Sequence, residues 1–198
     1  MGKIVISGDF DLALSTIHHR KCKRYFFVYS GSCAIEIQSY GQEDNQNMRF
    51  SFIKVNGKTV VNFSDKDMSD GGRGINTIIL DPETCQAMDR RVWDTHSCLG
   101  RSSGKSAASD LAAYIDYVRE GTILLGSTAD EPSMCLREAV QTLQSAGVDV
   151  RAAVNNQDSV YRGKFAFVLH AGYPERTTMK KASKGGANLY MTTFLKGW

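Results

Sequence analysis

Apolar and polar side chains alternate along the N-terminal third of the chain, as they do in strands with one exposed face. The clearest hairpin signal is Asn56-Gly57, which separates two alternating runs. We therefore expect antiparallel sheet in this third. The predicted strands are 3–7, 25–29, 33–38, 49–55 and 59–63.

A glycine-rich elbow precedes the most apolar segment of the middle region. Gly71, Gly72 and Gly74 surround Arg73, which is the one long side chain in a stretch with unusual backbone freedom. The residues that follow, 75–80, place apolar side chains on both faces, which favours a strand buried on both sides. A turn at Asp81-Pro82 and a second strand closing at 91–96 come next. A charged residue directly before a buried strand belongs to a binding site or to an ion pair.

The second half of the chain mixes helical and strand patterns. Apolar residues at helical spacing predict a helix over 106–119. Residues 127–132 are expected to open a second helix, with Asp130 near its positively polarised start and Gly147 at its end. Strands are predicted at 122–126, 148–154, 164–169 and 188–195, and polar or basic loops at 155–162 and 172–186.

These elements predict an α+β fold of two packed antiparallel sheets flanked by two helices. The absence of repeats and of linker-like composition indicates one domain, assigned to residues 25–198, behind an N-terminal extension of residues 1–24.

Composition excludes some classes of function. The net charge is +3, and basic residues cluster only at 20–24 and 180–184, so no nucleic-acid partner is expected. No apolar run approaches the roughly 18 residues that a membrane span requires. The N-terminus has neither the apolar segment nor the cleavage site of a signal peptide, which by itself indicates the cytoplasm. A secreted protein without its leader would look the same.

Five cysteines are present, without the CxxC spacing typical of zinc sites, so no metal or cofactor is expected. In a secreted protein an odd number leaves a free thiol or an intermolecular bridge, which would form a homo-oligomer. The pairing stays open. In that setting Asn62-Phe63-Ser64 would also be an N-glycosylation sequon. The cysteines are Cys22, Cys33, Cys85, Cys98 and Cys135.

The sequence favours binding over catalysis. Gly104-Lys105-Ser106 resembles the end of a phosphate-binding P-loop, but the preceding glycine, Gly100, is one residue too close. Asp94 and His96 fall on one face of a predicted strand, yet no nucleophile motif accompanies them. We therefore expect no catalytic residues and no enzymatic activity.

A series of short motifs runs from the glycine elbow to residue 168. They are Gly72-Arg73-Gly74-Ile75-Asn76, Asp81-Pro82-Glu83-Thr84, Val92-Trp93-Asp94-Thr95-His96, Glu120-Gly121-Thr122-Ile123, Asp130-Glu131, Ala146-Gly147 and 162–168. In order and spacing, over roughly residues 28–172, the chain resembles the interleukin-like EMT inducer family, also called the PANDER-like domain family. Gly163-Lys164-Phe165 departs from the family pattern by lacking an acidic residue and a Trp.

The resemblance implies an extracellular binding domain with a β-β-α fold. In the stem of a glycosyltransferase of this family, an Arg, an Asp and a second Arg hold a sugar, and the matching positions here are Arg73, Asp130 and Arg162. The resemblance thus implies a lectin-like protein that binds a glycan or glycoprotein, and a secreted cytokine-like signal is the alternative. The three residues could equally form an ion-pair triad without a ligand.

Overall fold

The structure is a computed structural model, and it describes residues 13–14, 27–28, 32–44, 49–64, 72–96, 106–154 and 163–195. Two antiparallel sheets and a helical layer make up most of these ranges. The strands are β1 (Ala13–Leu14), β2 (Phe27–Val28), β3 (Cys33–Ser39), β4 (Phe50–Val55), β5 (Lys58–Ser64), β6 (Gly74–Leu80), β7 (Ala87–Trp93), β8 (Ile123–Ala129), β9 (Lys164–His170), β10 (Thr178–Ala182) and β11 (Leu189–Leu195).

The smaller sheet has the strand order β11-β3-β4-β5. β4 and β5 form the hairpin predicted from Asn56 and Gly57, whose φ angles are 50° and 76°. Positive φ at both turn residues is what a two-residue type I′ turn requires. Buried and half-exposed residues alternate along β3 and β4. This sheet therefore has one face in the core and one face outside it.

The larger sheet has the order β10-β9-β8-β6-β7, and its pairs are antiparallel. β6 is buried along nearly its whole length, which confirms the prediction of a strand covered on both faces. β7 starts earlier than predicted and ends at Trp93. It also lies at the sheet edge, because the other side of β6 pairs with β8.

Each face of the larger sheet packs against a different layer. One face meets the smaller sheet through apolar residues such as Ile37, Ile53 and Leu125. The opposite face meets the helices through residues such as Phe167 and Leu111. The order of layers is therefore small sheet, large sheet, helices, which confirms the α+β fold of two packed sheets with helices at the flank.

The first helix, α1 (Ala107–Tyr117), confirms the predicted one. Ser106 precedes it in an extended conformation, and its hydroxyl accepts a hydrogen bond from the backbone N–H of Ser109, as an N-cap residue does. Leu111 and Ile115 are buried against the sheet.

The second helix begins later than predicted. Residues 127–129 complete β8, because they pair with β6 and because the Thr128 hydroxyl accepts a hydrogen bond from Phe165 N–H at 3.1 Å. Helical structure begins only at Leu136, with a 3-10 helix (Leu136–Ala139) that continues into α2 (Val140–Ser145). The expectation that Asp130 caps a helix was therefore wrong, since strand pairing overrides the local pattern. The predicted end at Gly147, with φ 88°, is confirmed.

Two further segments differ from the prediction. The strand expected over 148–154 is absent, and its last residues form a short helix, α3 (Arg151–Val154), before which Asp149 accepts a hydrogen bond from Arg151 N–H. The loop expected over 172–186 contains β10, whose mostly polar side chains gave no strand signal. β10 exists because its backbone pairs with the edge of β9.

The domain boundary between residues 24 and 25 stays a prediction. Residues 3–7 lie outside the described residues, and only 27–28 of the predicted strand 25–29 are described, as β2. β2 pairs with β1, so this pairing crosses the predicted boundary between residues 24 and 25.

A disulfide joins Cys33 to Cys85. Cys33 begins β3 in the small sheet, and Cys85 lies in the turn after β6 in the large sheet, so the bond links the two sheets. Cys135 is also disulfide-bonded. Within the described residues, no helix is both long and apolar enough to cross a bilayer.

Candidate functional site

The glycine elbow is closed by one buried side chain, that of Asn76. Its amide nitrogen donates to the carbonyl oxygen of Gly72 at 2.8 Å, and its amide oxygen accepts from Gly72 N–H at 2.8 Å. Asn76 therefore satisfies both backbone groups of Gly72, as a strand partner would. Nothing in the sequence pattern assigned this role to Asn76.

The chain itself occupies the space beside the elbow glycines. A Cβ at Gly72 would lie 2.2 Å from Cγ1 of Val92, and one at Gly74 would lie 2.2 Å from the carbonyl oxygen of Trp93. Gly74 also has a φ of 98°, a conformation that other residues rarely adopt. The glycines thus allow the end of β7 to approach closely and hold Arg73 at a fixed position.

Arg73 makes a two-pronged ion pair with Asp94. Its Nε and Nη2 atoms lie 3.3 and 3.2 Å from the two carboxylate oxygens of Asp94, and each side chain is 35% exposed. Asp94 and His96 were predicted to lie on one face of a strand, whereas the strand ends at Trp93 and both residues lie in the segment that follows it. The pair was not predicted, because no spacing rule links residues 73 and 94.

The residues beside Asp94 hold this segment in place. Trp93 is buried, and its Nε1 donates to the Thr77 hydroxyl at 2.9 Å. Thr95 is buried too, and its hydroxyl donates to the carbonyl oxygen of Pro132 at 2.7 Å. The Trp93-Asp94-Thr95 motif therefore anchors β7 to the core, positions Arg73 and fastens the loop after β8.

Asp130 lies close to Arg73 through the register of β6 and β8. Gly74 is opposite Ala129, so Arg73 and Asp130 are the next residues beyond the paired ends of neighbouring strands. Asp130 has a φ of 62°, in the left-handed region that Asp tolerates better than most residues. Two of the three predicted site residues thus lie at adjacent strand ends, at one end of the larger sheet. The third, Arg162, lies outside the described residues.

A buried ion pair lies at the same end of the fold. Lys164 Nζ is 2.5 Å from an oxygen of Asp44, and both side chains are almost fully buried. The ammonium also donates to the carbonyl oxygen of Gly185, and Asp44 accepts from Gly41 N–H. In the sequence, Lys164 stood out only as a departure from the family pattern, and no pattern singled out Asp44.

A second acidic residue follows Asp130 but points inward. Glu131 is buried, and its carboxylate accepts hydrogen bonds from the backbone N–H and the hydroxyl of Ser133. Glu131, like Asp130, therefore lies before the helix and not at its start. Glu131 shapes the loop, whereas Asp130 is partly exposed.

The opposite end of the larger sheet has a separate cavity of about 330 Å³. Asp116, Thr142 and His170 contribute to its lining. Burial lowers the pKa of His170, and the positive charge of Arg176 lowers it further. Neither Arg73 nor Asp130 lines this cavity, so it is a different place from the Arg73–Asp130 end.

A comparison with protein families matches residues 73–173, just over half of the 198-residue chain, to the family described as interleukin-like EMT inducer. The matched segment runs from Arg73 through β6, β8 and β9, and so includes the strands whose ends form the candidate site. The chain belongs to the interleukin-like EMT inducer family.

Proposed function

We propose that this chain is a non-enzymatic, lectin-like protein that binds a glycan at the end of the larger sheet where Arg73 and Asp130 lie. The observation that carries the proposal is the β6–β8 register, which places these two residues at adjacent strand ends. A guanidinium donates and a carboxylate accepts the directional hydrogen bonds that sugar hydroxyls form. The family resemblance contributes Arg162 as the third binding residue.

Arg73 has hydrogen-bonding capacity left for a ligand. A guanidinium has five N–H donors, and Asp94 accepts from Nε and Nη2. Among the residues that the structure describes, the remaining Arg73 donors meet no acceptor. The side chain is about one third exposed. Asp94 would therefore orient the guanidinium, while the free donors bind hydroxyl groups.

The proposal includes an extracellular location and no chemical step. The disulfide between Cys33 and Cys85 supports an oxidising compartment, because cytosolic thiols are kept reduced. Hydrogen bonds from Arg73 and Asp130 would hold a sugar without breaking its bonds.

The test is a glycan array followed by calorimetric titration of the best ligand. Asp130→Asn keeps the left-handed backbone accessible and removes the charge, and Arg73→Lys keeps the charge and removes the planar fork. Each substitution should weaken binding by about tenfold or more, as expected for the loss of a charged hydrogen bond worth roughly 1.5–3 kcal/mol. Arg176→Lys, at the opposite end of the sheet, is the control and should bind normally.

Unchanged affinity in both site variants would exclude this site. Binding to cells that survives both substitutions and enzymatic removal of cell-surface glycans would favour the cytokine-like alternative. Release of a shortened glycan during prolonged incubation would contradict the absence of catalysis.

A further inference from the structure

The outer face of the smaller sheet carries a patch of exposed aromatic rings. The patch is defined by Phe50 and Phe52 on β4 and Tyr190 on β11. Phe50 and Tyr190 are 38% and 44% exposed, and the Phe52 ring centroid lies 6.2 Å from that of each neighbour. Neighbouring exposed rings of this kind offer an apolar surface on which another group can pack.

Asn62 lies on the same face, directly beside this patch. In the β4–β5 register it is opposite Phe52, and Phe50 is its diagonal neighbour. Side chains opposite each other on one face have Cβ atoms about 5 Å apart, and diagonal ones about 7–8 Å. Asn62 is exposed, and it begins Asn62-Phe63-Ser64, the single N-glycosylation sequon of the sequence. The β4–β5 register therefore places the sequon beside the aromatic patch, although the two features are separate in the sequence.

We propose that Asn62 carries an N-linked glycan, and that its first N-acetylglucosamine ring covers Phe52 and Phe50. One face of a pyranose ring presents C–H groups, which pack favourably on an aromatic face. The Lys54 ammonium lies 4.6 Å from the Phe52 centroid, so this ring already offers its face to a side chain from the outside. The flexible lysine stem can leave that face when a sugar is attached next to it.

The modification is a group transfer to the side-chain amide. The nitrogen of Asn62 attacks the anomeric carbon of an oligosaccharide held on a lipid diphosphate, and a C–N bond replaces the C–O bond. The amide nitrogen loses one proton, and the lipid diphosphate leaves with the bonding electron pair. Because the transferase reads the chain before it folds, the fold has only to leave room for the glycan. Exposure of Asn62 provides that room.

This inference rests on the secretory location that is part of the proposed function, and it is independent of sugar binding at Arg73. Disulfide formation and N-glycosylation take place in the same compartment of eukaryotic cells. The Cys33–Cys85 disulfide is therefore the structural feature that supports a secretory location.

The first experiment tests the site. The full chain is expressed in eukaryotic cells behind a secretion leader, and its intact mass is measured before and after peptide N-glycosidase. We expect one glycan, lost in Asn62→Gln and Ser64→Ala and retained in Ser64→Thr, which keeps the sequon. A secreted parent chain with the mass of the bare polypeptide would overturn the proposal.

The second experiment tests the covering of the patch. Glycosylated protein is trimmed to a single N-acetylglucosamine, and its melting temperature is compared with that of the fully deglycosylated form. The single sugar should raise it by about 2 °C or more, as a contact of ordinary strength does in a chain of this size. Phe52→Thr should abolish the gain. Phe194→Thr should retain it, because Phe194 is a similarly exposed aromatic that lies four residues beyond Tyr190 along β11, outside the patch.

The packing of the sugar on the rings would be overturned if the single sugar did not raise the melting temperature, or if it raised that of Phe52→Thr equally. Ligand binding at Arg73 is measured on Asn62→Gln protein. Loss of sugar binding would count against the proposed function. It would not affect the conclusions drawn from the mass and the melting temperature.

Discussion

Asn76 shows how one side chain can determine the conformation of a neighbouring segment. Its amide group binds both backbone polar groups of Gly72, and all three groups are buried. The elbow needs this partner because Gly72 lies before the start of β6, where none of the described strands pairs with it. The position of Arg73 therefore depends on Asn76 as well as on Asp94.

Replacing Asn76 with Ala should lower the free energy of unfolding by about 2–4 kcal/mol. The reason is that two buried backbone groups lose their partners, at roughly 1–3 kcal/mol each. Chemical denaturation of bacterially produced protein measures the change. Asn62→Ala is the matched control, since its exposed amide should cost less than about 0.5 kcal/mol. Equal stability of the two variants would contradict this role.

At the scale of elements, the Lys164–Asp44 pair fixes how loops meet the larger sheet. Lys164 begins β9, Asp44 lies in the loop after β3, and Gly185 lies in the loop before β11. One ammonium thus holds three segments together. Both charges are removed from water, so each depends strongly on the other.

Asp44→Asn should destabilise the protein by about 3–5 kcal/mol, because it leaves the Lys164 ammonium buried without a countercharge. The matched control is Asp149→Asn, which breaks an exposed pair with Arg151 and should cost at most about 1 kcal/mol. Adding Lys164→Met to Asp44→Asn should recover part of the loss. Denaturation midpoints of the four proteins test this, and similar costs for the two single Asn variants would refute it.

At the scale of the whole molecule, the Cys33–Cys85 disulfide connects the two sheets across 52 residues. The sheets also share an apolar interface, so the bond reinforces an existing contact. Its main effect is to restrict the unfolded chain, in which it closes a long loop.

The double substitution Cys33→Ala/Cys85→Ala should lower the free energy of unfolding by about 2–4 kcal/mol, close to the chain-entropy value for a loop of this length. Urea denaturation measures the difference. In a reductant, the parent also loses the bond, and the two proteins should become more alike in stability. A variant as stable as the oxidised parent would show that the disulfide does not stabilise the fold.

Local sequence patterns were sufficient where the chain determines its own conformation. The hairpin at Asn56-Gly57, the strand after the glycine elbow, α1 and the helix end at Gly147 were all predicted, because turn chemistry and apolar periodicity act over a few residues. They were insufficient at 127–129 and 178–182. There, the partner strands β6 and β9 impose an extended backbone on residues that are locally neutral.

The sequence by itself determined the fold class, the family and the identity of Arg73 and Asp130 as candidates. The tertiary structure decided which side chains meet. Strand register places Arg73 beside Asp130 and Asn62 beside Phe52, and a turn brings Asp94 to Arg73. These contacts join residues 10 to 57 positions apart. Periodicity contains no information about such separations, because they depend on how strands pair and layers pack.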